Sequence, residues 1–301
     1  MEYGIALPHI GPAASAVAII AVAQRAESLG FRSVWVLDRL LYPLIPRSKY
    51  PGNPSGEIPR AMQTTFEPLT VLAFAAAATK QILLGTSVLV ASYRSPVLLA
   101  KMTATLDQLS GGRLILGLGA GWSSDEFTAI GESLHGHQER TDDYLRVLKS
   151  LWAEKQPSFS GKYYQVPKSI FLPQPVQRPG PPLWIGGNSK RAMRRTALFG
   201  DSWHPTSRIG LAKLVEGIKY IRQVAHQAGR NSQAVKLTLR WNASPFLTQK
   251  FSAEEARECF SAYREAGVTH VCIDLNIPEP SSVSAMLESM ERLARDVFTK
   301  V

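Results

Sequence analysis

The sequence predicts an α/β protein of the (β/α)8 barrel class, and three observations carry that prediction. Short apolar runs alternate with helical patterns eight times in 301 residues, the rhythm and length of such a barrel. Most of the runs lack clean alternation, as expected of parallel strands buried on both faces. Two long interruptions, 42–65 and 157–182, fall after strand two and before strand five, where a barrel accepts lids or substrate walls. A doubly wound sheet is the alternative that the same alternation allows. All of 1–301 is expected to form one barrel domain carrying those two insertions.

Along the chain, strand 3–7 leads to a helix over 14–29, and strand 33–37 leads through the Pro-, Gly- and Ser-rich stretch 42–65 to a helix over 67–79. Strand 82–90 runs into Tyr93-Arg94-Ser95-Pro96. Ser95 is placed to cap a helix over 96–110, Pro96 suits its first turn, and Gly111-Gly112 stops it. Strand 114–118 breaks into Gly119-Ala120-Gly121-Trp122, a loop that a phosphate or an aromatic cofactor can approach closely. Ser123-Ser-Asp-Glu126 reads as a capping box ahead of a helix over 140–153. The stretch 157–182 holds seven prolines and a hairpin around Phe159–Tyr163. Strand 183–187 ends in Gly186-Gly187-Asn188, before a helix over 190–199 capped by Asn188 or Ser189. Free N–H groups at such a helix start suit a phosphate. Strands 202–205, 235–241 and 270–275 alternate with helices over 211–229, 252–267 and 282–298, and Ser252-Ala-Glu-Glu255 is a second capping box.

Composition narrows the function. The chain is 45% hydrophobic and 19% charged, which suits a soluble globular protein. Its apolar stretch 3–24 contains Pro8, Gly11 and Pro12, so a strand and a helix start explain it better than a membrane span or a signal peptide. Cys259 and Cys272 make no disulfide framework and no metal spacing. The expectation is a cytoplasmic, reduced protein without a metal. The net charge of +10 fits a solvated basic surface or attraction to an anionic ligand. Nucleic acid is not expected, because the Lys and Arg are scattered and no basic-patch signature occurs.

Strand C-termini build the site of a barrel. They carry Pro8-His9, Asp38-Arg39, Ser87-Val88, Gly119 to Trp122, Gly186 to Asn188, His204 to Thr206, Arg240-Trp241-Asn242 and Asp274 to Asn276. No Ser/His/Asp set and no P-loop is present. The incomplete Gly117-x-Gly-x-Gly121 lies on the fourth strand and not the first, against a dinucleotide fingerprint. An aromatic, glycine-rich, lightly charged site suits a bound redox ring better than hydrolysis.

Several ordered segments resemble the luciferase-like monooxygenase superfamily, in particular its coenzyme F420-dependent oxidoreductase branch. They are Leu84-Gly85-Thr86-Ser87-Val88-Leu89, Arg94-Ser95-Pro96, Leu106-Asp107-Gln108-Leu109-Ser110-Gly111-Gly112-Arg113, Gly117 to Trp122, Pro182-Leu183-Trp184-Ile185-Gly186-Gly187 and Gly200-Asp201-Ser202-Trp203. The resemblance implies a (β/α)8 barrel enzyme that moves a hydride between coenzyme F420 and a small organic substrate. It further implies a non-proline cis peptide at Ser87-Val88 backing the deazaflavin ring. The Gly119-Ala120-Gly121-Trp122 loop would lie beside the cofactor. Gly186-Gly187-Asn188, with Thr206, would hold its phosphate. Homodimers are common among the relatives. An FMN-dependent monooxygenase and a non-catalytic flavin-binding barrel are the competing functions.

One position departs from the pattern. The F420 branch has Asp-His where this chain has Asp38-Arg39. Arg39 cannot act as a general acid near neutral pH, although it can fix an anionic substrate or a ring carbonyl. Asp38, Arg39 and His9 are the expected catalytic residues. His9 and His204 are the candidates for supplying the proton, against the alternative that each is a hydrogen-bonded structural histidine. Trp122 stands where the sugar-phosphate dehydrogenase branch has a catalytic Glu, so that activity is not expected.

Overall fold

The structure, a computed structural model, describes residues 1–242, 252–276 and 282–298. In chain order the strands are β1 (Glu2–Ala6), β2 (Ser33–Val36), β3 (Leu83–Thr86), β4 (Leu89–Val90), β5 (Leu114–Gly119), β6 (Phe159–Ser160), β7 (Gln165–Val166), β8 (Leu183–Gly186), β9 (Ser202–His204), β10 (Lys236–Asn242) and β11 (Val268–Asp274). The helices are α1 (Ala16–Ser28), α2 (Pro68–Ala78), α3 (Pro96–Ser110), α4 (Ser124–Ala129), α5 (His137–Ala153), α6 (Lys190–Phe199), α7 (Leu211–Gln227), α8 (Ala253–Glu265) and α9 (Val283–Asp296).

Eight parallel strands close into a ring. β1 pairs with β2, β2 with β3, β3 with β5, and the order continues through β8, β9, β10 and β11. β11 returns to β1 with Gly4 opposite Cys272. Closure excludes the doubly wound alternative and gives the expected (β/α)8 barrel. The strands are apolar on both faces because each face meets its own core. Outside the ring, Ile5, Val34, Leu84, Leu116, Ile185 and Leu239 pack against helix residues such as Leu72, Leu148 and Phe260. Inside it, Trp35, Ile115, Trp184 and Cys272 form a separate cluster. Trp35 is fully buried, and Gly4 and Gly85 are the residues that admit it. A Cβ at either glycine would lie 2.2 Å from its indole. A polar thread beneath this plug satisfies its buried donor. The Trp35 indole donates to Ser33 Oγ at 2.6 Å, and Ser33 pairs with His270 at 2.7 Å.

The caps expected at Ser95, Ser189 and Ser252 form, Ser15 and Ser282 add two more, and one expected box forms only in part. Ser15, Ser95, Ser189, Ser252 and Ser282 each accept a hydrogen bond from the first turn of a helix, each contributing about 1 kcal/mol. Ser252 and Glu255 make a complete capping box. At the other predicted box only half forms. Ser123 Oγ accepts from Glu126 N at 3.4 Å, but the Glu126 carboxylate turns away to Leu40 N at 2.6 Å and to the Tyr93 hydroxyl at 2.8 Å. Glu126 thus ties the chain after β2 to the end of β4.

Two sequence expectations need correction. The single strand over 82–90 is two strands, β3 and β4, interrupted at Ser87–Val88. The 157–182 insertion contains the expected hairpin, β6 against β7, but it lies along the outside of α3. Asp107 accepts from Gln177 N and Nε2, and Gln108 donates to the Gln174 carbonyl. None of its residues lines the large cavity described below.

Candidate active site

A cavity of about 440 Å³ opens at the C-terminal ends of the strands. Its wall includes Asp38, Arg39, Ser87, Val88, Gly119, Ala120, Gly121, Trp122, Gly186, Gly187, Asn188 and Thr206, all named from sequence. His9, the remaining member of that set, lies beneath, against a hollow of about 10 Å³.

The floor is set by the Ser87–Val88 peptide, which is cis. Arg240, on β10, donates to the Ser87 carbonyl at 3.0 Å and pairs with Asp274 of β11. The Ser87 hydroxyl meets His204 Nε2 at 2.9 Å. On its other side, His204 Nδ1 meets Thr238 Oγ1 at 2.9 Å, and that hydroxyl donates to the Trp203 carbonyl at 3.1 Å. This fixes the tautomer: Nδ1 carries the hydrogen, and Nε2 accepts from Ser87. β9, β10 and β11 therefore hold the kink between β3 and β4 from below.

The kink thrusts Val88 into the barrel mouth, and this explains three glycines of the site. A Cβ at Gly119 or Gly186 would lie 2.9 Å from a Val88 methyl, and one at Gly117 would lie 1.9 Å from the Thr86 carbonyl. The Gly117-x-Gly-x-Gly121 series is therefore a seat for the kinked strand. Gly121 differs from the others, adopting φ +89°, a left-handed region that glycine enters without penalty.

The loop after β8 has its own order. Ser189, and not Asn188, caps α6. Asn188 instead exchanges two 3.3 Å hydrogen bonds with Thr206, joining the loops after β8 and β9. Gly187 is held through its carbonyl by the Trp203 indole at 2.9 Å. The first two turns of α6 carry Lys190, Arg191, Arg194 and Arg195 and no acid, although a helix N-terminus favours anions over cations. Arg195 is buried and paired with Asp142 at 2.6 Å, whereas Lys190, Arg191 and Arg194 are exposed.

The expected catalytic residues divide. The Asp38 side chain is fully buried. Its carboxylate takes two hydrogen bonds from Arg94, at 2.7 and 3.2 Å, and one from Val90 N at 3.1 Å. Burial pushes this carboxyl up, against the Arg94 contact that holds it down. Its observed contacts make it an anchor between β2 and β4. His9 has both ring nitrogens engaged with backbone. Nδ1 donates to the Leu7 carbonyl at 2.8 Å, Nε2 accepts from Leu37 N at 2.9 Å, and burial lowers its pKa. His204, similarly satisfied, is driven by burial down to about 3. Both histidines have their ring nitrogens engaged within the protein, the arrangement of the structural alternative. Trp241 packs on Phe260 in the outer core and does not line the cavity.

Arg39 is different. It is 6% exposed and donates through Nε to the Leu41 carbonyl at 3.0 Å. Its guanidinium carbon lies 5.2 Å from the centroid of the Trp122 ring and 5.9 Å from that of Tyr42. Its Nη2 is buried without a hydrogen-bond partner, a condition that costs about 1–3 kcal/mol.

Arg240, expected at a strand end of the site, lines the cavity, as do Tyr50, Met62, Gln138 and Arg195, which had no role assigned from sequence. Tyr50 and Met62 come from the 42–65 insertion. That segment is fastened over the mouth by Arg208 donating to the Gly52 carbonyl at 2.5 Å and by Arg47 pairing with Asp125 at 2.8 Å. The basic start of α6 was the signal that could have exposed Arg195. Tyr50 and Met62 had none, since loop closure is a tertiary event.

The chain belongs to the luciferase-like monooxygenase family, whose model matches residues 1–288. It is 36% identical over 167 residues to the FMNH2-dependent dimethylsulfone monooxygenase of Pseudomonas putida, a match covering 54% of this chain and only 44% of that relative. An uncharacterised protein of Mycobacterium tuberculosis (strain H37Rv) is 30% identical over 237 residues, covering 77% of this chain and 80% of that one. In fold, the chain resembles a monooxygenase from Streptomyces bottropensis, with a TM-score of 0.81 at 21% identity over 100% of this chain and 99% of that one. It also resembles an F420-dependent secondary alcohol dehydrogenase solved with an F420–acetone adduct, with a TM-score of 0.79 at 20% identity over 98% of each chain. No helix among the described residues is long and apolar enough to cross a membrane, and no group of side chains there could hold a metal ion.

Two outcomes follow from this geometry. Gly119→Ala should destabilise the protein by about 1–3 kcal/mol through its clash with Val88. Val88→Ala in the same chain should recover much of that loss, so a double-mutant cycle in urea should give a coupling of about 1 kcal/mol or more. Additive losses would mean that the two side chains do not meet. The second concerns acid. His204 is neutral when folded and titrates near 6.5 when unfolded, so the unfolded chain binds the extra proton between those values. Its contribution is complete above pH 6.5 and is lost as pH falls toward 3, with a slope approaching 1.4 kcal/mol per pH unit. His204→Gln should flatten the pH dependence of stability between about pH 6 and 4. An unchanged slope would contradict a buried neutral imidazole.

Proposed function

We propose that this protein binds coenzyme F420 and transfers a hydride between it and a small organic substrate. The observation that carries the choice of cofactor is the uncompensated basic start of α6. Exposed Lys190, Arg191 and Arg194 follow directly on the Gly186-Gly187-Asn188-Ser189 loop. One phosphate needs the loop and the helix N-terminus; three further exposed cations suit a cofactor whose anionic tail continues past its phosphate. The remaining residues fit a ring with a phosphate arm. Val88, Gly119 and Gly186 offer a close-packed apolar floor, Ser189 and Thr206 offer hydroxyls beside the loop, and Arg39 offers a buried donor without an acceptor.

When bound, the deazaflavin supplies the two-electron carrier. The chain's part is to bind, orient and keep water out. The Arg240 and His204 contacts hold the floor rigid from below. Tyr50, Met62 and Trp122 wall the mouth, with Tyr50 and Trp122 in edge contact at 5.3 Å. Asp38, His9 and His204 have their polar atoms engaged within the protein. The Tyr50 hydroxyl, raised by burial, keeps its proton through the neutral range. A second reading, an FMN-dependent monooxygenase, is favoured by the Pseudomonas relative.

Titration with both cofactors separates the readings. F420 is expected to bind more tightly than FMN, and the double substitution Lys190→Glu with Arg191→Glu should weaken F420 by roughly 10–100-fold. Those changes put acids where the helix dipole favours them, so folding should survive, as circular dichroism would report. FMN binding tighter than F420, with an affinity indifferent to the double substitution, would overturn the proposal in favour of the monooxygenase.

A further inference from the structure

Arg39 gives this cavity a recognition element that a neutral substrate would leave unused. Among the described residues, three arginines line the cavity. Arg240 is engaged by Asp274 and the Ser87 carbonyl. Arg195 is engaged by Asp142 and by the Gln138 carbonyl at 2.7 Å. Arg39 spends Nε on Leu41, while its Nη2 has no acceptor. Glu126 is the nearest carboxylate, but its Oε2 stands 3.9 Å from that nitrogen, beyond hydrogen-bond reach. The Glu126 oxygens already accept from Leu40 N and the Tyr93 hydroxyl. The guanidinium is therefore partly balanced in charge and unsatisfied in hydrogen bonding.

Its setting is rigid. The side chain is 6% exposed, and rings of Tyr42 and Trp122 flank it. Met62 and Tyr50 bring an apolar and an aromatic surface to the same cavity. A fixed, stacked guanidinium beside such surfaces is a site for a planar anion with an apolar body. We infer that the substrate is a compact organic anion of the carboxylate type. Arg39 holds its charged group, and its apolar body packs on Tyr50, Met62 and Trp122. This inference rests on the proposed function for the reaction, but anion recognition itself is a property of the chain and can be measured without turnover.

The test uses phenylacetate and its neutral isostere phenylacetamide, titrated into the whole protein by calorimetry. Phenylacetate should bind wild-type protein roughly tenfold or more tightly than the amide. Arg39→Met, which keeps most of the side-chain volume, should erase that preference, and Arg39→Lys, which keeps charge without the planar fork, should recover it only in part. Equal affinity for acid and amide in the wild type, a preference that survives in Arg39→Met, or no binding of the acid at millimolar concentration would each overturn the inference. F420 titration of Arg39→Met keeps the two readings apart. Unchanged cofactor affinity with a lost acid preference supports both. A lost cofactor affinity assigns Arg39 to the ring and overturns the inference while leaving the proposed function standing.

Discussion

The hold of Arg240 on the Ser87 carbonyl is the interaction on which the mouth of this barrel depends. One guanidinium, engaged by Asp274, reaches from β10 across the barrel and fixes the backbone where β3 gives way to β4. Burial of the Arg240 charge is unfavourable, and the neighbouring Asp274 carboxylate opposes that cost and raises its pKa. A guanidinium held largely out of water loses stability when either partner is removed. With Ser87 fixed, Val88 must enter the mouth, and with Val88 there, Gly117, Gly119 and Gly186 cannot carry side chains. A chain of steric consequences thus runs from one ion pair to the floor of the cavity.

The same constraint accounts for the polar plumbing below the floor. Trp35, Trp184 and two histidines pack closely inside the barrel, and burial there disfavours a charged imidazole. Ser33, Thr238 and Ser87 supply hydroxyls that keep His270 and His204 bonded and neutral. The histidines are part of the support. Polarity at the cavity wall comes from arginine, amide and hydroxyl groups, with Asp38 and His204 engaged within the protein, which suits a site that binds and shields a redox ring more than one that shuttles protons.

The fold was largely legible because it depends on local and repetitive signals. Serine caps, Gly111 and apolar runs placed α3, β5 and the eight alternations within a few residues. The cavity wall was also legible, since strand C-termini must build it. What failed was tertiary. Ser123-x-x-Glu126 looked like a local capping box, yet Glu126 has better partners in Leu40 and Tyr93. The prolines of 157–182 suggested a lid, yet Asp107 and Gln108 hold that segment against the outside of α3. His9 looked available at a strand end, and only the folded backbone shows both of its nitrogens engaged. The interruption of strand 82–90 leaves little mark in composition: Ser87-Val88 reads as ordinary strand, and the resemblance to relatives carried that expectation.

The most direct test of the account is a crystal structure of the protein grown with F420. Electron density for the tricyclic ring is expected on Val88, between the Gly119 and Gly186 loops, with the phosphate at the start of α6. Arg240 should still hold the Ser87 carbonyl. A ring bound elsewhere, or a Ser87–Val88 segment released from Arg240 and withdrawn from the mouth, would contradict it.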